Sequence, residues 1–521
     1  MNNLSEKISI ILVIFLVTFL SLPGLQLAFN FLPKTELYGY VASMPDAPND
    51  KVTAWFNGSL QKWIDNYVNS NHGFRAELLR TFNEVEFRIF QQRANLNLIY
   101  TPIFGLYAKM QIDYINATIK NQEDLKPKFY SYGFKVRAVQ DILRKQSIDF
   151  LHVIAASKIF VVPYGVPVKY LATDTSKLLS SSLSLGDLLD RLGVQTFDSA
   201  PFLRKIGEEC EYPLYSKAGV HWNFYAGCRV ACEINDRFRP RFSMPDCRCE
   251  QPVMKKAESI DIDGLKLMNL WSFEKWRDMQ PYPSIIASGS SAYRPSVLFI
   301  GDSFSDQIRV AMGECNIYSR IDFSSVFERF LSSGTSYDTA TDMKDYLANF
   351  KNFLYRYHIV ILEMVDYNIY RYFGYGFFEK VLSEFLPTLF SNQTSVDAST
   401  CHELPESSLI SGWRKVGNGL TTSENIAIAG FRYSGDRPLS IAGDYRSVRK
   451  DKCGNTVDIF ANGLPVKTLT IPNNDDSLRH LELVVPKESI TSNGTVLVTF
   501  LSHDLSQDLN LSFHNLGVHD Y

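Results

Sequence analysis

The sequence predicts a mixed α/β fold: a mostly parallel sheet flanked by helices, followed by a β-sandwich and preceded by a membrane-anchoring helix. Three observations predict it. An uncharged apolar run opens the chain. From Leu125 to Leu386 short apolar strand-like segments alternate with amphipathic helix-like ones, and beyond Ser391 closely spaced short strands take over. The chain has 521 residues, whereas single cores stop growing near ~250–300 residues, so two folded units are expected.

Composition removes several functional classes. Lys and Arg number 53 against 56 Asp and Glu, a net charge of -3, so no broad basic surface exists to neutralise nucleic-acid phosphates. With 45% hydrophobic and 21% charged residues the chain is globular, and a mean hydropathy of -0.10 excludes a polytopic membrane protein. The 36 Phe, 27 Tyr and 6 Trp are read chiefly as core.

The elements follow in order. After a polar start ending at Lys7, Ile8 to Leu22 carries no charge and apolar character continues to Leu32. That suffices to span a hydrocarbon core, which needs ~20 residues. A cleaved signal peptide is the competing reading, but no Ala-x-Ala site follows, so residues 1–34 are read as an uncleaved signal anchor. The remainder is then exported, placing it in the periplasm against the inner membrane. Tyr38 to Asp50 reads as a tether. From Val52 to Gln92, Trp55, Leu60, Trp63, Ile64 and Tyr67 recur at helical spacing, predicting one buried helix face. Phe134 to Lys145 and Ser184 to Leu192 read as helices, and Ile148 to Ala156 and Val194 to Asp198 as strands. Ser296 to Ile300 and His358 to Glu363 are further buried strands, with a helix from Asp342 to Tyr355 between them. Polar Ser391 to Ser408 marks a boundary, so the domains expected are 35–390 and 391–521. In the latter, strands run over Ile426–Phe431, Val457–Ala461, Val466–Ile471, Leu478–Val485, Val496–Leu501 and Leu509–Phe513, with Asn462-Gly463 as a tight hairpin.

Of eight cysteines, Cys228 and Cys232 sit four apart and Cys247 and Cys249 two apart. Paired C-x-x-C knuckles of structural zinc sites are missing, so disulfides are expected, with Cys401 and Cys453 as one pair. No Walker loop, G-x-G-x-x-G or H-E-x-x-H occurs, and neither a cofactor nor a metal is expected.

Two strings carry chemistry. Gly301-Asp302-Ser303-Phe304-Ser305 follows a buried strand, where ligands of open α/β sheets bind. A Ser on such a turn projects its hydroxyl outward, and the N–H groups after it face an oxyanion, so Ser303 is the nucleophile candidate. The alternative is a helix cap. His221-Trp222-Asn223 sets a His at a helix start. A Ser hydroxyl needs a base to take its proton, making His221 the base candidate against a capping or core role.

His221-Trp222-Asn223, the GDSFS string, Asn71-His-Gly-Phe-Arg75 and Ile154-Ala-Ala-Ser-Lys158 together resemble the SGNH-hydrolase-like proteins of the AlgX/AlgJ type. That family takes part in O-acetylation of alginate and other bacterial exopolysaccharides. The resemblance covers about residues 50 to 385, and the trailing sandwich resembles the carbohydrate-binding module of AlgX-type members. It implies an SGNH-type serine O-acetyltransferase with Ser303 as nucleophile and His221 as base. The implied partners are a polysaccharide substrate and a polytopic membrane O-acyltransferase that delivers acetyl groups. The family's Asp-x-His-Trp string is broken, because Gly219 stands two before His221 and Lys217 and Ala218 are not acidic. Three outcomes are open: a Ser–His dyad, an acid from elsewhere, or an inactive relative. Asp302, Asp306, Glu363 and Asp366 are acids near strand ends. A carbohydrate esterase and a noncatalytic glycan-binding scaffold are the alternatives to transfer.

Overall fold

The computed structural model describes residues 2–520 except 34, 40–45, 72, 91–96, 121, 172–184, 290–292, 334–338, 373, 390–401, 405, 417–418, 423, 434–438, 448–454, 472–476, 504–508 and 510. The chain divides into two compact units: Met1–Lys109 with Tyr215–His221 and Lys255–Gln280, and Met110–Leu214 with Trp222–Met254 and Pro281–Tyr521.

In the first unit, helix α1 (Asn2–Phe29) contains an apolar span from Lys7 to Phe29 that is largely exposed, with Gln26 buried near its end. Three helices follow, α2 (Lys51–Phe56), α3 (Ser59–Asn71) and α4 (Arg75–Ile89). Asp50 caps α2 by accepting from the N–H groups of Val52 and Thr53. The chain turns at Gly58, φ 80°, and at Phe74, φ 65°, so the helical run is broken into three. The helical period is as expected, but the face is not. Trp55, Ile64 and Tyr67 are exposed, and the buried contacts of this region are made by one side of α4. There Phe87 meets the rings of Tyr100 and Trp276 edge-on. It shares a small core with the hairpin Leu98–Thr101/Gly105–Ala108 and the short helix Asp263–Met268.

The second unit holds a seven-stranded sheet. Its strands are β1 (Asp149–Ala155), β2 (Thr196–Asp198), β3 (Ser296–Gly301), β4 (Arg320–Ser325), β5 (Arg329–Leu331), β6 (Thr341–Asp342) and β7 (Ile359–Val365). The spatial order is β6-β5-β4-β3-β7-β1-β2. From β4 to β2 all neighbours are parallel, while β5 and β6 add an antiparallel edge. Strands β1, β3 and β7 are buried throughout, which is why they read as unbroken apolar runs. Helix α5 (Gln122–Lys145) packs Phe134, Val139 and Leu143 into the core beside this sheet.

The helix expected over Asp342–Tyr355 is instead edge strand β6 followed by two short helices, Lys344–Leu347 and Phe350–Leu354. Asn349 between them adopts φ -130°, ψ 51°, outside the helical region.

From Thr388 onward the chain forms two further sheets that share one core, with Val457 and Phe500 from one meeting Ile441, Leu483 and Phe513 from the other. All six expected strands are present, and Leu439–Ser447 is an additional central one. Asn462 and Gly463 form the tight hairpin, both at positive φ.

Candidate active site

Ser303 lies on the turn joining β3 to helix α6 (Ser305–Cys315), and it is exposed while its neighbours from Pro295 to Ser305 are buried. The turn is framed by Asp302. One carboxylate oxygen, Oδ1, accepts the Phe304 N–H at 3.0 Å. The other, Oδ2, accepts from the Val365 N–H, Asn368 Nδ2 and Tyr375 hydroxyl at 3.2, 3.3 and 2.9 Å. The Asp302 N–H in turn donates to Glu363 Oε2 at 3.0 Å. Burial, and then the neighbouring Asp302 charge, hold the Glu363 carboxyl well above its usual range. Gly301 is required here, since a Cβ at that position would lie 2.5 Å from Glu363 Oε2. The N–H groups that follow Ser303 are already engaged: Phe304 with Asp302 Oδ1 and Ser305 with the Asp302 carbonyl at 3.1 Å. The expectation that these groups face an oxyanion is therefore corrected, because Asp302 uses both to close the turn.

The string around Trp222 is anchored to the same turn. Trp222 is fully buried, its Nε1 donates to the Phe304 carbonyl at 3.0 Å, and the two rings meet edge-on. Asn223 caps the helix Phe224–Phe242 by accepting the Ala226 N–H at 2.9 Å. Gly227 on that helix permits the approach of Gln307, whose Nε2 donates to the Trp222 carbonyl at 3.1 Å.

His221, the residue before Trp222, belongs to the first unit. Its Nδ1 lies 2.8 Å from Asp263 Oδ2, and Asp263 Oδ1 accepts the Val220 N–H at 3.0 Å. A carboxylate only accepts, so Nδ1 carries the hydrogen and Nε2 is the basic nitrogen. Asp263 opens a short helix whose Leu265 N–H is bonded to the Ala218 carbonyl at 2.7 Å, which holds the acid against the His221 segment. A Cβ on Gly219 would fall 2.8 Å from the Asp261 carbonyl and 3.0 Å from Asp263 Oδ1. The missing side chain at 219 leaves room for the Asp261 carbonyl and the Asp263 carboxylate.

Sequence reasoning missed Asp263, 42 residues beyond His221. Of the acids it did name, Asp302 and Glu363 frame the serine turn, and Asp306 lies in the first turn of α6 near Arg309. Asp366, just past β7, accepts from the Ser157 N–H and hydroxyl at 2.7 and 2.9 Å. Burial raises its carboxyl to about 7. Between pH 4 and 7 the folded chain thus keeps a proton that the unfolded chain has lost, so this group lowers stability as pH rises. Asp366→Asn is expected to flatten that decline, by a few kcal/mol at most, in urea titrations at pH 4 and pH 7. An unchanged slope would show the group does not titrate there.

Cys228 and Cys249 form a disulfide joining the helix Phe224–Phe242 to the strand Asp246–Cys249, with Cys232 and Cys247 sulfurs 2.6 Å apart beside it. The expected Cys401–Cys453 pair lies outside the described residues.

These features define a mixed α/β protein with an exposed serine at a strand–turn–helix corner and a histidine–carboxylate pair. Among solved structures it is similar to AlgX of Pseudomonas aeruginosa, at 12% identity and TM-score 0.38, over 84% of this chain and 99% of that one. It is similar also to the O-acetyltransferase domain of Pseudomonas putida AlgJ, at 11% identity and TM-score 0.34, over 53% and 92%. A third is Bacillus cereus PatB1 with a sulfonyl adduct, at 12% identity and TM-score 0.27, over 46% and 91%. No family model and no curated protein matches the chain.

Proposed function

We propose that this chain is an SGNH-type serine O-acetyltransferase acting on hydroxyls of an exported bacterial polysaccharide. Ser303 is the nucleophile, His221 the general base and Asp263 the acid that orients it. The observation that carries the reading is the bonded His221–Asp263 pair in a sequence where Gly219 has given up the usual acid. A second supports it: Trp222, joined to His221 by a peptide bond, donates to Phe304, joined to Ser303 by another.

Ser303 Oγ attacks the acetyl carbonyl of a donor as His221 Nε2 takes its proton, and the leaving group departs with that proton. The acetyl is then an ester on Oγ. A sugar hydroxyl attacks it, giving its proton to Nε2, and the proton returns to Oγ as the ester breaks. Asp263 keeps Nδ1 protonated and stabilises the imidazolium formed in each half.

The remaining assignments belong to the same reading. Helix α1 anchors the protein in the inner membrane, residues 35–390 form the catalytic domain and 391–521 a carbohydrate-binding-like sandwich. A polytopic membrane O-acyltransferase supplies the acetyl group. Since Ser303 is exposed, water competes with the sugar hydroxyl. Incubating the full chain with p-nitrophenyl acetate and an acidic oligosaccharide tests this. Acetylated sugar by mass spectrometry is expected; acetate alone makes the protein an esterase, and bound oligosaccharide with neither product makes it a binding protein.

A further inference from the structure

Helices α3 and α4 carry apolar side chains on faces their unit leaves in solvent. On α4, Leu78, Phe82, Val85 and Ile89 recur at helical spacing and are 40–68% exposed. The opposite side holds the helix in place: Asn83 Nδ2 donates to the Met268 carbonyl at 2.8 Å, and Glu84 accepts the Ser272 N–H at 3.0 Å. On α3, Ile64 and Val68 stand one turn apart and are exposed as well. A continuous apolar stripe on a water-soluble surface marks an interaction site.

What covers it follows from the elbow between the two helices. The Gly73 N–H donates to the Pro23 carbonyl of α1 at 3.1 Å, and the Phe74 ring meets Phe31 edge-on. A Cβ at residue 73 would fall 2.4 Å from the Pro23 oxygen, so the contact requires glycine. Pro23 precedes the end of the apolar span at Phe29 by six residues, ~9 Å along a helix axis. An elbow bonded at that point of a spanning helix sits where headgroups meet acyl chains, the depth at which amphipathic helices bury their apolar faces, ~5–10 Å.

We propose that α3 and α4 lie in the bilayer interface with the Leu78–Ile89 stripe against acyl chains. The inference rests on reading α1 as a membrane anchor. It holds the unit that carries His221 and Asp263 to the membrane surface, where an acetyl group crossing the bilayer would arrive.

The test uses the full chain reconstituted in vesicles of phosphatidylethanolamine and phosphatidylglycerol, containing a phospholipid with a diazirine in its acyl chain. After irradiation and digestion, mass spectrometry is expected to find lipid adducts on α1, α3 and α4. Phe82→Glu with Ile89→Glu is expected to cut the α4 adducts several-fold while α1 keeps its own. Adducts on α1 alone overturn the proposal and leave the stripe to a protein partner. No adducts on α1 overturn the anchor reading, and this inference with it.

Discussion

Ser303→Ala is expected to leave a folded chain that forms no acyl-enzyme and transfers acetyl on the order of 10⁵–10⁶ more slowly than the parent. The loss is large because the proposed chemistry runs through one oxygen. Without Oγ there is no ester to store the acetyl, and His221 has no proton to remove in the first half-reaction. Folding should survive. The bonds that hold the corner run through Asp302, Glu363 and Gly301, and the side chain at 303 points away from the core. Two measurements separate chemistry from damage: the intact mass after exposure to p-nitrophenyl acetate, and the melting temperature. The parent should gain one acetyl group and the variant none, at matching melting temperatures. A variant that still gains acetyl at the parent's rate removes Ser303 from the mechanism.

Which parts of this protein were legible in its sequence depended on how local the cause was. Strand β7 declares itself because burial on both faces demands an apolar run, and Asn462-Gly463 because only such residues take two successive positive φ angles. The serine corner is a local feature too, with strand, turn and helix within a few residues. The run from Val52 shows the limit of periodicity: spacing reports that a helix has an apolar face, not what the face meets. Trp55 and Ile64 have the pattern of a core and are exposed. The site fails in the same way. Asp302 and Glu363 could be read only as acids near strand ends; one closes the turn and the other is pushed toward its neutral form by burial. Asp263 sits in Ile260-Asp261-Ile262-Asp263-Gly264, a string with no catalytic signature. Its partnership with His221 exists only because the chain returns to the first unit between Lys255 and Gln280. The one trace in the sequence was the gap at Gly219.

Asp263→Asn is expected to lower kcat by about 10⁴ with little change in KM. The two carboxylate oxygens have different tasks: Oδ1 accepts the Val220 N–H at 3.0 Å and Oδ2 faces His221 Nδ1 at 2.8 Å. An asparagine has one acceptor oxygen, and the backbone N–H of Val220 can only donate, so that oxygen is held there. The amide NH₂ is then left against the imidazole, where it donates to Nδ1 and selects the tautomer with hydrogen on Nε2. Such an imidazole has its lone pair on the wrong side and cannot take the Ser303 proton. Gly219→Ala probes the same arrangement from behind, because its Cβ would press on the Asp261 carbonyl at 2.8 Å and on Asp263 Oδ1 at 3.0 Å. A displaced acid should lower kcat by less than Asp263→Asn does, and the double variant should be no worse than Asp263→Asn alone, since the orienting bond is then already lost. Full activity in Asp263→Asn would mean that the carboxylate only ties down the Val220 backbone.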